Sequence, residues 1–112
     1  MTKPKRGDVI LVEFAFSQGG GSKKRPALVL SVDDYHRSRH EIILAAITSN
    51  IERILVGDTE LTYWKEAGLL FPSVVTGIIR TIKNDRIVKV FGRLSAADFH
   101  QVERNLCKIM GF

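Results

Sequence analysis

Apolar residues in the first half of the chain form three short runs that are typical of β-strands. They are residues 9–16, 27–31 and 41–48, and they are rich in β-branched, aromatic and other apolar side chains. Such residues favour a pleated, partly buried backbone. Pro26 has no N–H and is therefore expected at the start of the second strand. The polar residues 33–40 predict a loop or a hairpin connection.

The second half of the chain predicts further strands. Residues 53–56 are interpreted as a short strand, and residues 59–67 as a segment that holds one helical turn. Residues 73–82 are strongly strand-like. The turn signal at residues 84–85, followed by the apolar run 87–91, predicts a hairpin.

From Ser95 onward the apolar period changes to that of a helix. Ser95 is a good N-cap, and Asp98 follows three residues later in the manner of a capping box. The apolar residues then recur at helical spacing, at Phe99, Val102, Leu106 and Ile109. Gly111 is expected to end the helix. Cys107 flanks the apolar stripe and is expected to be a buried packing residue.

Five or more short strands followed by one helix indicate a mainly β protein with a C-terminal helix. Short strands have unpaired edges, and a small twisted barrel or half-barrel protects such edges. The chain has 112 residues and contains neither a Pro/Ser-rich linker nor a repeat. It is therefore expected to form a single domain over residues 1–112.

The composition excludes several classes of protein. The hydrophobic fraction of 45% is too high for intrinsic disorder. One cysteine cannot form an internal disulfide or a cysteine-rich zinc site. No apolar run reaches the roughly 18 residues of a membrane span, and no apolar signal core follows the basic N-terminus. A soluble cytoplasmic protein is therefore expected.

The positive charge is concentrated in two segments. The chain has 17 Lys and Arg against 12 Asp and Glu, a net charge of +5. Residues 1–25 hold six basic and two acidic side chains, and residues 80–93 hold five and one, so each segment carries +4. If the fold brings the segments together, one face becomes a phosphate-binding surface. The alternative is a set of solvated strand ends and loops.

The common catalytic and metal-binding motifs are absent from the sequence. It contains no P-loop, no Rossmann glycine pattern, no GxSxG and no HExxH. His36 and His40 are four residues apart, but a metal there would need a third ligand and would lie beside two arginines. They are interpreted as part of an exposed loop, and neither a metal nor a cofactor is predicted.

One pair of polar residues at strand ends carries candidate chemistry. Arg25 begins one predicted strand, and Thr48 closes the next, with Ser49 beside it. If these strands are antiparallel neighbours, the guanidinium and the hydroxyl lie close together. A guanidinium binds phosphate oxygens through two hydrogen bonds and a hydroxyl adds another, so that the pair would stabilise a pentavalent phosphorane. The alternative is structural: a strand start and a threonine that satisfies local backbone.

The order of several short segments resembles that of the MazF/PemK toxins. The matching segments are residues 6–14, a Gly/Ser loop, and residues 25–31, 47–49, 64–69, 73–75, 80–82 and 91–95. Together they cover nearly the whole chain. The chain departs from many relatives at residues 45–47, where these have a proline, and at residues 76–78, where these have an Asp-Gln pair.

This resemblance implies the toxin of a type II toxin–antitoxin system. It implies an SH3-like or CcdB/PemK-type small β-barrel that forms a homodimer and binds a cognate acidic antitoxin. It further implies an endoribonuclease that needs neither metal nor cofactor, cleaves single-stranded RNA at short sequences and leaves a 2′,3′-cyclic phosphate and a 5′-hydroxyl. The family's catalytic arginine and threonine fall on Arg25 and Thr48. The group that accepts the 2′-hydroxyl proton stays open, since a guanidinium is a poor general base.

Six further residues are candidates for contact with RNA. Phe14 is a candidate for stacking on a base, and core packing is the alternative. Candidates on the glycine loop and the residues that follow it are Gln18, Ser22, Lys23 and Lys24. Ser49 is the sixth.

Two other functions are compatible with the same fold. One is a non-enzymatic toxin that binds DNA gyrase, since a fold alone does not fix a function. Such a toxin would have no need of Arg25 with Thr48. A silent nucleic-acid-binding module would bind RNA with a strong salt dependence and leave it intact.

Overall fold

The computed structural model describes residues 3–15 and 21–112 of the chain. In these residues the elements follow one another as β1 (Asp8–Ala15), β2 (Ser22–Val29), α1 (Asp33–Arg39), β3 (Glu41–Thr48), β4 (Thr59–Glu60), β5 (Val74–Lys83), a 3₁₀ turn (Asn84–Arg86), β6 (Ile87–Arg93) and α2 (Ala96–Met110). The expected mainly β fold with a C-terminal helix is confirmed. No helix among the described residues has the length and apolar character to cross a membrane.

All six strands belong to one antiparallel sheet, in the order β4-β5-β3-β2-β1-β6. The first three strands are consecutive neighbours and form a meander. Beyond them, β5 pairs with β3, and β6 pairs with β1 at the opposite edge of the sheet. The predicted hairpin between residues 73–82 and 87–91 is therefore wrong. The strands themselves are present, but the turn between them connects two non-neighbouring strands.

The short connection between β5 and β6 requires a strongly curled sheet. These strands are four positions apart, which is about 19 Å on a flat sheet. Only Asn84–Arg86 joins them, and an extended connection of that length spans at most about 14 Å. The guanidinium carbon of Arg80 in β5 also lies 5.9 Å from the ring centre of Phe14 in β1, which makes this face concave. The described strands thus form a half-barrel rather than a closed barrel.

Apolar side chains cover both faces of the sheet. The cluster on the side of α2 includes Val9, Leu28, Ala45, Ile47, Val75 and Val102. The cluster on the concave face consists of Ile10, Val12, Ala27, Val29, Ile42 and Leu44, with Phe14, Ile82, Ile87 and Val90 packed against it. Neighbouring residues enter opposite clusters because side chains alternate along a strand.

Helix α2 begins and ends where the sequence predicts. The Oγ of Ser95 accepts a hydrogen bond from the N–H of Asp98 at 3.1 Å, and Gly111 ends the helix in the left-handed region with φ 78°. Phe99, Val102 and Leu106 pack on the sheet. Ile109 is 40% exposed, but an added Cβ on Gly57 would lie 3.0 Å from its Cγ2, so the stripe reaches the loop before β4.

The carboxylate of Asp98 ties α2 to the segment that follows β4. It accepts hydrogen bonds from the N–H groups of Thr62 at 3.1 Å and Tyr63 at 2.8 Å. Asp98 is 4% exposed, so these bonds are shielded from water. Only one half of the predicted capping box is therefore formed, the bond to the Ser95 Oγ. The Asp98 carboxylate accepts from Thr62 and Tyr63 instead.

Residues 33–39 form helix α1, so the predicted loop or hairpin is wrong. Asp33 and Asp34 lie in its first turn and Arg37 and Arg39 in its last, an order that complements the helix dipole. His36 is not part of an exposed loop, because its Nε2 lies 2.6 Å from the Oγ of Ser31 and its side chain is 11% exposed.

Strand β2 begins four residues before the predicted start, which places Pro26 inside it. Pro26 lies opposite Leu11 of β1, whereas pairing of β2 with β3 begins only at Ala27. The strand therefore accommodates a proline where it has one partner strand instead of two.

Two further predictions are wrong. Residues 53–56 are not a strand, because Asp58 accepts a hydrogen bond from the N–H of Leu55 at 2.9 Å and closes a turn there. The short strand is Thr59–Glu60 instead. Cys107 is exposed, since it lies about 100° around α2 from Leu106 and thus outside the buried stripe.

Replacing Asp98 by alanine is expected to destabilise the protein by about 2–4 kcal/mol. The substitution removes two charge-assisted hydrogen bonds and leaves the N–H groups of Thr62 and Tyr63 without their acceptor. Alanine is itself a good helix former, so helix propensity is not the cause. Urea unfolding at one fixed protein concentration measures the effect. Asp85→Ala, in the exposed turn, is the control and should leave stability unchanged; equal stability of the two variants would contradict the prediction.

Candidate active site

A cleft of about 270 Å³ lies where the half of β2 that does not pair with β3 and the end of β3 meet the segment before β5. Its polar lining consists of Lys24, Arg25, Thr48, Ser49 and Ser73. Its apolar lining consists of Pro26, Ile47, Leu69, Leu70, Phe71 and Phe91, and the Gly68 backbone completes it. The cleft thus presents charged and hydroxyl groups beside a hydrophobic surface.

The register of β2 and β3 brings Arg25 and Thr48 to the same place. These antiparallel strands pair through Ala27 with Ala46, and continuing that register by two residues sets Arg25 opposite Thr48. The paired region stops at Ala27, so the strands separate there and both side chains line the cleft. The sequence-based expectation that these strands are neighbours is confirmed.

Local hydrogen bonds hold the hydroxyl of Thr48. Its Oγ1 accepts from the N–H of Asn50 at 3.1 Å, and the Oδ1 of Asn50 accepts from the N–H of Glu52 at 3.2 Å. This turn occupies one lone pair of the Thr48 oxygen and leaves its O–H as a donor. Thr48 is half-buried and Ser49 is exposed, so both are accessible from the cleft.

The guanidinium of Arg25 carries an uncompensated charge. Within residues 3–15 and 21–112, no carboxylate forms an ion pair with it. Four other arginines, namely Arg6, Arg37, Arg39 and Arg93, are each paired with an acidic residue. Arg25 is also exposed, so its guanidinium is accessible to an incoming anion.

Arg39, in contrast to Arg25, forms an ion pair with a carboxylate. Glu41 accepts a hydrogen bond from its Nε at 3.0 Å, and this bond together with the nearby negative charge raises the pKa of Arg39. The pair lies at the start of β3, at the opposite end of the strand from Thr48. It is separate from the cleft.

The apolar lining of the cleft is positioned by two close backbone contacts. The segment from Tyr63 forms one turn, in which the N–H of Ala67 donates to the Tyr63 carbonyl at 3.3 Å. The turn ends at Gly68, which has a φ of 91°. A Cβ added there would lie 2.7 Å from the carbonyl oxygen of Phe91, so no side chain fits. An added Cβ on Gly92 would lie 2.6 Å from the Ala67 carbonyl oxygen. This turn therefore lies directly on β6.

The structure brings together some of the predicted site residues and separates others. Lys24 and Ser49 line the cleft with Arg25 and Thr48. Ser22 and Lys23 are exposed at the start of β2 and lie outside the cleft lining. Gln18 lies outside the described residues.

Phe14 lies outside the cleft. It packs against the concave cluster, half-buried, under the guanidinium of Arg80. This packing is the alternative that the sequence left open for Phe14, and contact between the exposed part of its ring and a base stays a prediction.

Sequence reasoning missed Leu70, Phe71 and Phe91 as parts of the site. Leu70 and Phe71 are 83% and 62% exposed, and they follow Gly68 in a segment without strand or helix period. The available signal was the position of three large apolar residues, Leu69, Leu70 and Phe71, between a glycine and a proline, outside any regular element. That signal does not show which cleft they line.

The two basic segments contribute unequally to the cleft. Strand β6 lies next to β1, so the segments are neighbours in the sheet. Arg93 is nevertheless paired with Asp8, at 3.0 Å, and Arg6 with Glu103, at 2.6 Å. The cleft receives the charge of Lys24 and Arg25 only, and residues 80–93 supply the ring of Phe91.

The described cleft residues contain no carboxylate and no imidazole. Across residues 3–15 and 21–112 there is also no group of three His, Cys, Asp or Glu side chains that is placed to hold a metal ion. The chemistry that the cleft offers is therefore anion binding and hydrogen-bond donation by Arg25, Lys24 and the hydroxyl groups.

The chain is similar to known proteins over almost its whole length. The model of a family described as PemK-like, MazF-like toxin of type II toxin–antitoxin system matches residues 5–110. No curated protein matches the chain.

Solved structures share this fold. MazF of Deinococcus radiodurans, from a MazE–MazF crystal, superposes with a TM-score of 0.80 at 20% identity, over 97% of this chain and 96% of that chain. A mycobacterial endoribonuclease in complex with its cognate antitoxin gives 0.75 at 19% identity, over 98% and 97% of the two chains. The Mycobacterium tuberculosis toxin MazF-mt6 gives 0.70 at 21% identity, over 92% and 97%. At such identities the likeness establishes the fold.

Replacing Gly92 by alanine is expected to destabilise the protein by about 1–3 kcal/mol, because the new methyl group meets the backbone of Ala67. Gly77→Ala is the matched control. Gly77 also lies in a strand, but a methyl group there meets the flexible tip of Ile109 at 3.3 Å. Thermal unfolding of both variants checks the difference. A Gly92 variant as stable as the Gly77 variant would show that the turn is not held against β6.

Proposed function

The chain belongs to the PemK-like, MazF-like toxins of type II toxin–antitoxin systems, and on that premise we propose that it is an endoribonuclease acting on single-stranded RNA. The observation that carries the proposal is the position of Arg25 and Thr48 in one cleft, where no carboxylate among the described residues pairs with the guanidinium and the Thr48 Oγ1 accepts a backbone hydrogen bond that leaves its O–H as a donor. Endoribonucleases with the same fold support it.

In the proposed reaction, the cleft binds one phosphodiester of the RNA. The guanidinium of Arg25 donates two hydrogen bonds to its non-bridging oxygens, and the O–H of Thr48 donates a third. The 2′-oxygen attacks phosphorus and the bond from phosphorus to the 5′-oxygen breaks. The products are a 2′,3′-cyclic phosphate and a 5′-hydroxyl.

The two side chains act on the negative charge that grows on the phosphorane. Fixed donors aimed at that charge lower the barrier because they need no reorganisation during the reaction. A guanidinium stays protonated at any working pH, so Arg25 acts as a donor rather than as a general base. The 2′-hydroxyl proton is proposed to reach the 5′-oxygen through water or a phosphate oxygen.

Lys24 and Ser49 are proposed to bind the same strand of RNA beside the reacting phosphate. Both line the cleft, and both are exposed. Lys24 supplies a point charge for a neighbouring phosphate, and Ser49 supplies one more hydrogen-bond donor. Phe14 does not line this cleft, so its contact with an RNA base is a separate proposal.

We further propose that the chain acts as one MazF/PemK-like domain over residues 1–112, forms a homodimer and resides in the cytoplasm, where its RNA substrate is found. An acidic antitoxin is the proposed inhibitor, because Lys24 and Arg25 would attract a carboxylate as they attract a phosphate. The MazE–MazF crystals of Deinococcus radiodurans support the pairing with an antitoxin.

Arg25→Ala and Thr48→Ala are each expected to reduce RNA cleavage at least about 100-fold, since each removes a donor to the developing charge. The assay uses purified protein, a long RNA of low secondary structure and EDTA, with the fragment ends mapped. Discrete cuts at one short sequence, with 2′,3′-cyclic phosphate ends, are expected for the unmodified chain.

Arg104→Ala is the control for the loss of one positive charge, because Arg104 is exposed on α2 and binds only Gln101 among the described residues. It should cleave like the unmodified chain. RNA that stays intact with folded protein would refute the nuclease. Gyrase inhibition or plain RNA binding would then distinguish the two alternative functions.

Lys24→Gln is expected to reduce the salt dependence of RNA binding. Each phosphate contact to a single strand contributes about 0.7 to the slope of log K against log salt concentration, so the slope should fall by about that amount. Fluorescence anisotropy over a salt series measures it. Lys108→Gln, exposed at the end of α2, should leave the slope unchanged. Equal slopes for both variants would exclude a phosphate contact at Lys24.

A further inference from the structure

We propose that Phe71, supported by Leu70, is the surface on which an unpaired RNA base stacks beside the phosphate bound by Arg25 and Thr48. This inference rests on the proposed function and adds to it the group that recognises an unstacked base. Phe71 and Leu70 line the same cleft as the two proposed catalytic residues. They are 62% and 83% exposed.

A single exposed apolar side chain needs no explanation, but its place beside an anion site does. Other large apolar residues are as exposed, for example Val56 at 86% and Phe112 at 94%. Neither of these lines the cleft. Phe71 differs from them because Arg25 and Lys24 share its cavity and supply the charge that a nucleotide phosphate requires.

The backbone on both sides of Phe71 is fixed although its side chain is exposed. The Oγ of Ser73 donates to the Phe71 carbonyl at 2.7 Å, and the N–H of Leu61 donates to the Ser73 carbonyl at 3.0 Å. On the other side, Leu69 is buried and its N–H donates to the Trp64 carbonyl at 3.1 Å. The ring is therefore presented on an ordered support and loses little freedom when a base binds.

The two sides of the cleft match the two parts of one nucleotide. The phosphate requires cations and hydrogen-bond donors, and the base requires a flat apolar surface. In a duplex the bases are stacked on one another and paired, so no base face is available to Phe71. Stacking on Phe71 therefore favours single strands. It adds affinity without distinguishing one base from another, because every base has a π-face.

The other aromatic residue of the cleft does not serve this purpose as well. Phe91 is partly buried and packs against the cluster on the side of α2. Lys89 also lies over its ring, at 5.0 Å. Phe71 is the more accessible of the two rings, which assigns the stacking to it.

The test measures binding of seven-nucleotide single-stranded RNAs that carry 2′-fluoro groups and therefore cannot be cleaved. Phe71→Ala is expected to weaken binding about 5- to 100-fold, in line with the loss of one base–aromatic stack. Phe71→Trp should retain affinity, and Phe112→Ala, an exposed phenylalanine outside the cleft, should bind like the unmodified chain. Thermal unfolding confirms that each variant is folded.

A second series replaces one base at a time by an abasic residue. In the unmodified chain, loss of the stacked base should weaken binding as much as Phe71→Ala does. In the Phe71→Ala variant, the same abasic RNA should show no further loss, because base and ring act as one unit. Unchanged affinity of Phe71→Ala, or losses that add at every position, would overturn the inference.

These outcomes separate the inference from the proposed function. Cleavage of ordinary RNA without coupling between Phe71 and any base refutes the stacking role and leaves the nuclease in place. Coupling in a protein that cleaves no RNA refutes the nuclease and supports the stacking role. A folded chain that binds none of the RNAs refutes both.

Discussion

The structure of the cleft depends on the buried carboxylate of Asp98. It accepts two backbone hydrogen bonds from the segment after β4 and thereby holds that segment against α2. The turn that follows then lies on β6, at a distance that only glycine tolerates at Gly68 and Gly92. The apolar side of the cleft begins at the end of this turn. A contact made at the first turn of the last helix thus positions a surface near residue 70.

The polar side of the cleft comes from a different constraint, the way in which β2 leaves the sheet. β2 pairs with β1 along its length but with β3 only from Ala27 onward. Beyond Ala27 the two strands are no longer hydrogen-bonded to each other, and Arg25 and Thr48 both line the cleft that opens there. Pro26 lies at this boundary, where a missing N–H is tolerated. The same separation of strands creates the space for a ligand and places the two side chains beside it.

Charge pairing decides which basic residues remain available for a ligand. The chain carries a net charge of +5, yet four of its nine arginines bind carboxylates of their own chain. Arg93 in this way joins β6 to Asp8 of β1, and Arg6, which precedes β1, joins the start of the chain to Glu103 of α2. Net charge therefore describes the attraction of the whole molecule for polyanions, whereas binding at one phosphate depends on an arginine that both lines the cleft and pairs with no carboxylate among the described residues, as Arg25 does.

The sequence by itself indicated the strand-rich fold, the C-terminal helix with its Ser95 cap, and the closeness of Arg25 and Thr48 if their strands are neighbours. Each follows from local preference or from the register of two consecutive strands. It could not show that residues 33–39 are helical, because their charges stabilise a helix that buries no apolar stripe. It could not separate β5 from β6, since strand order depends on how the sheet curls. Only the tertiary structure placed Phe14 against the cluster on the concave face and Phe71 in the cleft, because contacts between residues far apart in the chain determine which face an aromatic ring meets.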